Sequence, residues 1–332
     1  MCLVPTVGKL PECIQVINIM IENILLTGSS GFIGSKVKAA LEKDFGIRLT
    51  APTLRLTEAD PVFRVDKKNH CFGDEWGNAL LGQQVVIHTA AKTPATVGLD
   101  RVRSVDYRRV NVNGTLNLAM QAAQVGVKRF IFISSIKVNG ESTKNSVPFK
   151  ADDIPAPTDI YSVSKLEAEE GLLGIASATG LEVVIIRAPM VYGPGAVGNF
   201  NWLKMIVKTG VPLPFASIQN YRSMVAVENL VDLIITCIVH PKASNEVFLI
   251  SDGEDLSTPD IVRGLSDAIG QTCRLFSFPP TLLNSFAKCV GKGRQADKLL
   301  GSLQVDIQKT KRMLGWSPPF SVRDQFKKCF QG

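Results

Sequence analysis

From residue 23 onward, short unbroken apolar runs alternate with longer stretches in which apolar residues recur at helical spacing. Asn23-Ile-Leu-Leu-Thr27 is the first such run, followed by a glycine-rich turn and a helical pattern to about Phe45. Ile47 to Ala51, Pro61 to Val65, Val85 to Thr89, Arg129 to Ser134 and Leu181 to Arg187 predict further strands. Continuous Val, Ile and Leu without polar alternation suits strands buried on both faces of a parallel sheet. Gly114 to Val125 and Tyr161 to Thr179 predict helices between strands. Alternating strands and helices with right-handed crossovers build a doubly wound parallel α/β sheet.

After Gly193 the pattern loosens into loops rich in Pro and Gly around 193–198 and 209–220. With 332 residues the chain is long for one compact unit. The expected division is a sheet domain over 20–190 and a smaller C-terminal region over 191–332, partly interleaved with it. Residues 1–19 read as a poorly ordered extension, with Met20 just before the first strand. They hold Pro5, Lys9, Pro11 and Glu12 and lack the basic start and cleavage site of a signal peptide. No segment is long and apolar enough to span a bilayer.

The first chemical signal is Thr27-Gly28-Ser29-Ser30-Gly31-Phe32-Ile33-Gly34. Gly28 permits a tight turn, Gly31 lets backbone approach a pyrophosphate, and Gly34 allows close packing of helix on strand. The phosphates would sit at a helix N-terminus, where N–H groups are free. Placed directly after a strand, this turn marks 20–190 as a Rossmann-type dinucleotide-binding domain and 191–332 as the substrate side. The second signal is Tyr161-Ser-Val-Ser-Lys165, whose four-residue spacing puts phenol and ammonium on one helical face. A free tyrosine titrates near ~10, and a neighbouring ammonium favours the phenolate. Ser134 and Ser135 end the fifth predicted strand, where ligands bind in open α/β sheets, and Ser135 is the choice for holding a substrate oxygen beside Tyr161.

Composition narrows the picture. Seven cysteines form no C-x-x-C pair and only His70, His88 and His240 are available, so no metal site is expected. The odd, scattered cysteines suit reduced thiols in a cytoplasmic protein. Net charge is +7, and Thr281 to Gly332 carries ten Lys/Arg against three Asp/Glu. Without interleaved aromatics this basic tail argues against nucleic acid. A solvated helical face explains it, and weak peripheral contact with an anionic membrane is compatible with it.

On these residues the chain resembles the extended short-chain dehydrogenase/reductase family from about residue 20. The matching landmarks are TGSSGFIG at 27–34, HTAA at 88–91, NVNGT at 111–115, SSIKVNG at 134–140, YSVSK at 161–165 and RAPMVYGPG at 187–195. The resemblance implies nucleotide-sugar chemistry on a nicotinamide cofactor. It assigns Ser135, Tyr161 and Lys165 to catalysis. Gly28, Gly31, Phe32, Ile33, Gly34, Ala90, Ala91, Lys92, Tyr161 and Lys165 fall to cofactor binding, with Asn111 fixing nearby backbone. His88 reads as a structural strand-end residue. Homodimers joined through helices beside the active site are common in the family, so a homodimer is an expectation.

Three departures bear on the reaction. Ile136-Lys137 stands where related 4,6-dehydratases carry Asp-Glu, which removes the acid/base pair for eliminating water. Between Ile47 and Thr57 there is no acid to hold an adenosine ribose, while Arg48 and Arg55 are present, so Arg55 with a 2′-phosphate makes NADP, or NAD and NADP together, the expected cofactor. Met190 replaces an asparagine usual in UDP-galactose-type 4-epimerases. Arg222 matches the family position that grips the diphosphate, and Asn199 is a further substrate-side candidate. SSIKVNGE at 134–141, SDGEDLSTP at 251–259 and LGSLQVD at 300–306 resemble bacterial UDP-N-acetylquinovosamine dehydrogenases. The leading expectation is therefore reduction at C4 of a UDP-4-keto-6-deoxy-N-acetylhexosamine in O-antigen synthesis. The alternatives are a UDP-glucose or UDP-N-acetylglucosamine 4-epimerase with tightly bound NAD, and a non-catalytic NADP-binding regulator.

Overall fold

The computed structural model describes residues 21–44, 47–52, 76–93, 107–144, 147–289, 291 and 293–331. The strands are β1 (Asn23–Thr27), β2 (Arg48–Thr50), β3 (Val85–His88), β4 (Arg129–Ser135), β5 (Glu182–Ala188), β6 (Met190–Tyr192), β7 (Arg222–Ala226), β8 (Glu246–Leu249) and β9 (Asp255–Leu256). Helices α1 (Phe32–Asp44), α2 (Gly77–Leu80), α3 (Thr115–Gln124) and α4 (Ile160–Thr179) lie between the first five strands. Helices α5 (Asn199–Thr209), α6 (Val227–Val239) and α7 (Thr258–Ala268) follow. The chain then forms α8 (Pro280–Cys289), α9 (Gly293–Leu300), α10 (Gln308–Leu314) and α11 (Val322–Lys328). The expected strand at 61–65 and the segment 1–19 lie outside the described residues.

Among the described residues six strands make one fully parallel sheet in the order β2-β1-β3-β4-β5-β8. Its two faces alternate residue by residue, as strand geometry requires. Ile24, Leu26, Val85, Ile87, Ile131, Ile133, Val184 and Ile186 pack with Val37 and Leu41 of α1 and Leu230, Ile234 and Cys237 of α6. Leu25, Val86, Phe130, Phe132, Val183 and Ile185 pack with Leu118 and Ala122 of α3 and Ala168 and Leu172 of α4. Each fully buried Leu, Ile or Phe contributes about 1.5–3 kcal/mol, so both faces hold the strand ends in place.

The edge strand β8 and helix α6 come from beyond residue 190, so the later part of the chain completes the large sheet. A second core of Tyr192, Phe200, Leu203, Met224, Ile261, Leu265 and Phe326 lies beside a three-stranded sheet ordered β6-β7-β9. No helix among the described residues is long and apolar enough to cross a membrane.

Two local devices position the site. Helix α4 opens with a capping box in which Asp159 accepts the Ser162 N–H at 2.7 Å, and it closes at Gly180 with φ +78°. Before α3, residues Arg108–Gly114 form a π-helical turn, a form that is rare outside functional sites.

Candidate active site

β1 and β3 meet at their C-terminal ends, and the glycine turn begins there. Gly28 has φ +76°, and a Cβ on it would stand 2.6 Å from the Ala90 backbone nitrogen. The Gly31 N–H donates to the Gly28 carbonyl at 2.9 Å, which folds the turn into the start of α1. Phe32, Ile33 and Gly34 are the first residues of that helix, where N–H groups have no helical acceptor. Thr89 ties the two strand ends by donating its hydroxyl to the Thr27 carbonyl at 2.7 Å. Beyond it, half-buried Ala90, Ala91 and Lys92 line the same edge. Asn111, in the π-helical turn, accepts the Lys92 N–H at 2.8 Å and donates to the Lys92 carbonyl at 3.1 Å. A turn with no Cβ at Gly28, Gly31 and Gly34, set against a helix N-terminus, fits the diphosphate of a dinucleotide. Arg48 is exposed on β2, and Arg55 lies outside the described residues.

Ser135 is the last residue of β4, and its Oγ accepts the Lys137 N–H at 3.3 Å across a 3-10 turn, Ile136–Val138. Tyr161 stands in the first turn of α4. Burial pushes its phenol above its ordinary value, and the charges of Asp159 and Tyr107 push the same way, while the nearby Ser135 hydroxyl opposes them. The Tyr107 ring meets the Tyr161 ring at 6.1 Å with its edge. Lys165 is buried. Its ammonium donates to the Ile133 carbonyl at 2.8 Å and lies 4.2 Å from the centre of the Phe132 ring. Burial pushes Lys165 down to about 7, against the opposing charge of Glu169. The three residues thus gather at the C-terminal end of β4, Lys165 buried and Ser135 and Tyr161 half-buried.

His88 is a neutral strut. Its Nδ1 meets the Thr27 hydroxyl at 2.6 Å, its Nε2 meets the Thr115 hydroxyl at 3.0 Å, and its ring stacks on Phe132. Burial first, and the charge of Lys165 second, push it down to about 3.

Arg222 opens β7, and its Nη1 donates to the Gly301 carbonyl at 2.8 Å. Burial lowers its guanidinium to about 10, so it remains charged at neutral pH. Asn199 stands exposed at the first position of α5. Met190 begins β6 and pairs with Met224. Lys137 is bound to two carboxylates, Asp159 and, at 2.7 Å, Glu141. Burial alone would raise the Asp159 carboxyl, yet its bonds to Lys137 and Ser162 hold it below the ordinary value. Burial lowers Lys298 on α9, which also feels the cations Lys137 and Arg222 against the carboxylates Glu141 and Asp159. Sequence reading passed over Tyr107, Asp159 and Lys298, because only the fold brings them to Tyr161 and Arg222.

The family described as "NAD dependent epimerase/dehydratase family" matches residues 24–251, which hold the glycine turn, Ser135, Tyr161 and Lys165. The chain belongs to that family. The NAD dependent epimerase/dehydratase members similar to it include a UDP-glucose 4-epimerase of Vibrio cholerae, 45% identical over 94% of this chain and 95% of the relative. A UDP-glucuronic acid 4-epimerase of Bacillus cereus, solved with NAD, superposes with a TM-score of 0.70 at 22% identity, covering 92% of this chain and 96% of that one. RMD of Pseudomonas aeruginosa, solved with NADPH, superposes with a TM-score of 0.68 at 18% identity, covering 93% and 98%. At such identities the two structures bear on the fold alone, and both share the parallel α/β sheet.

Proposed function

We propose that this protein performs hydride chemistry at C4 of a UDP-hexose, as a 4-epimerase with tightly held NAD. The gathering of Ser135, Tyr161 and buried Lys165 at the C-terminal end of β4 carries the chemistry. The near full-length likeness to the Vibrio cholerae UDP-glucose 4-epimerase favours epimerisation over the reduction that the sequence placed first.

A bound nicotinamide dinucleotide supplies the hydride acceptor and donor. Gly28, Gly31 and the start of α1 hold its diphosphate, with Ala90, Ala91 and Lys92 along its side. Tyr161 takes the proton of the C4 hydroxyl at its phenol oxygen as the sugar is oxidised, then returns it as the C4 oxygen regains charge. Ser135 hydrogen-bonds that same oxygen and is the group that opposes the effect of burial on the phenol, and the Lys165 ammonium holds the nicotinamide ribose. Arg222 binds the UDP diphosphate, for which its guanidinium has the right donor geometry. Residues 191–332, apart from β8 and α6 of the large sheet, form the substrate-binding side.

Two observations favour a second reading. Met190 offers the sugar nucleotide no hydrogen bond, and the segment Ile47–Thr57 carries arginines and no acid. Both suit a reductase that exchanges NADPH or NADH and converts a UDP-4-keto-6-deoxy-N-acetylhexosamine to UDP-N-acetylquinovosamine. The test uses UDP-hexoses deuterated at C4, without added cofactor. Epimerisation with deuterium retained at C4 is the expected result. Oxidation of added NAD(P)H by the 4-keto sugar, without epimerisation, establishes the second reading, and neither activity contradicts both.

A further inference from the structure

Three residues at four-residue spacing share one face of α4: Tyr161, Lys165 and Glu169. The first two belong to the site described above. Glu169 is the third, and only 2% of its surface is exposed. Its carboxylate accepts the Arg187 guanidinium along one edge, with Nε at 3.1 Å from both oxygens and Nη2 at 2.6 Å from Oε2. The Ser134 hydroxyl donates to Oε1 as well. Arg187 spends its Nη1 on the Asn139 side-chain oxygen at 3.0 Å, and Asn139 in turn donates to the Lys150 carbonyl at 2.8 Å. The register of β4 and β5 sets Ser134 directly beside Arg187. The two serines at the end of β4 therefore divide the work: Ser135 serves Tyr161, and Ser134 serves Glu169.

Burying an Arg–Glu pair carries a large desolvation cost, and well-packed apolar residues often stabilise a fold as well. A pair retained one turn beyond a buried ammonium has a use for its charge. Taking the hydride-chemistry reading as its basis, we infer that Glu169, locked in place by Arg187 and Ser134, is a positioning residue that keeps the Lys165 ammonium charged inside the site. The opposing groups leave this task to Glu169. Lys165 stands at about 7 with burial drawing it down and Glu169, the one acid among the described residues acting on it, opposing that fall. His88 on β3 is neutral, and β4 offers the Phe132 ring and the Ile133 carbonyl. Asn111 reaches the neighbouring Ser164 and carries no charge. Lys137 beside β4 is bound to Asp159 and Glu141, Arg108 pairs with Glu167 at 2.9 Å, and Arg187 on β5 pairs with Glu169 itself.

The test is the pH profile of kcat for the wild type, Glu169→Gln, Glu169→Asp and the double variant Glu169→Gln/Arg187→Gln. Without the carboxylate, Lys165 loses its proton at lower pH. The alkaline limb should move down by about 1 pH unit in Glu169→Gln, with KM for the sugar little changed. Glu169→Asp should keep most of the wild-type profile. The double variant removes both charges together, so it folds where the single variant leaves Arg187 unpaired, and its limb should move as in Glu169→Gln. An alkaline limb that stays in place in both Gln variants overturns the inference. Absence of wild-type turnover on every UDP-hexose would count against the functional reading instead. The pH dependence of NAD binding to the same proteins then decides the inference: a midpoint that moves down in the Gln variants supports it, and an unmoved midpoint overturns it.

Discussion

The carbonyl oxygen of Gly28 packs so closely on Gly34 that a Cβ on Gly34 would stand 2.1 Å from it. Neither backbone can yield without opening the turn that receives the cofactor. Gly34→Ala should cost about 1–3 kcal/mol of stability, as overpacking does, and weaken NAD binding at least ~10-fold. Gly174, exposed within α4, has nothing within 4 Å of a built Cβ. Gly174→Ala should instead stabilise by about 0.5–1 kcal/mol. Urea unfolding and calorimetric NAD titration of both variants check the pair.

His88 makes stability depend on pH. It titrates near ~6.5 when unfolded and at about 3 when folded. Below pH ~6.5 the unfolded chain binds a proton that the folded one refuses, so stability is full above that value and falls as pH drops toward 3. The slope approaches about 1.4 kcal/mol per pH unit. His88→Gln, which can still bond Thr27 and Thr115, should lose this dependence. Between pH 6.5 and 5, urea unfolding should show a fall about 2 kcal/mol smaller than in the wild type. Equal falls would remove the assignment of a neutral buried imidazole.

Asn111 bonds both polar groups of one residue, Lys92, and also the Ser164 hydroxyl. Asn111→Ala leaves these groups without their partner, at about 1–3 kcal/mol. Because Lys92 lies along the cofactor edge, the loss should appear as a higher KM for NAD(P) as well as a lower Tm. A Tm change alone would make Asn111 a purely structural residue.

Much of this was legible along the chain because the large sheet is buried on both faces. Strands such as Val183–Ile186 need apolar residues at every position, and that leaves a plain signal. The turn at 28–34 and the Tyr161–Lys165 spacing are local, so their chemistry could be read before the fold. Glu169 and Arg187 could not be paired that way. Their contact depends on the β4–β5 register and on the packing of α4 over those strands. Lys137 stands in the sequence only as the residue that replaces an acid of the dehydratases, and it takes the fold to bind it to Asp159 and Glu141. The choice between epimerase and reductase leaves little trace, since Ser135, Tyr161 and Lys165 serve both reactions.

The role proposed for Arg222 predicts separate effects on substrate and on cofactor. Its guanidinium lies at the start of β7 and is held by the Gly301 carbonyl. Arg222→Met keeps the buried stem and removes the charge. KM for the UDP-sugar should rise ~10- to 100-fold, in line with loss of a charged hydrogen bond of about 1.5–3 kcal/mol, with NAD affinity unchanged. An unchanged KM would remove Arg222 from the substrate site.

The central claim is that Tyr161 moves the proton at C4 of a UDP-hexose, and a Tyr161→Phe variant tests it most directly. The ring and its contact with Tyr107 survive, and only the hydroxyl is lost. UDP-hexose binding, read by calorimetry, should stay within about 3-fold of wild type, while turnover followed by NMR of the 4-epimer should fall at least ~1000-fold. Near-normal turnover in Tyr161→Phe would contradict the account.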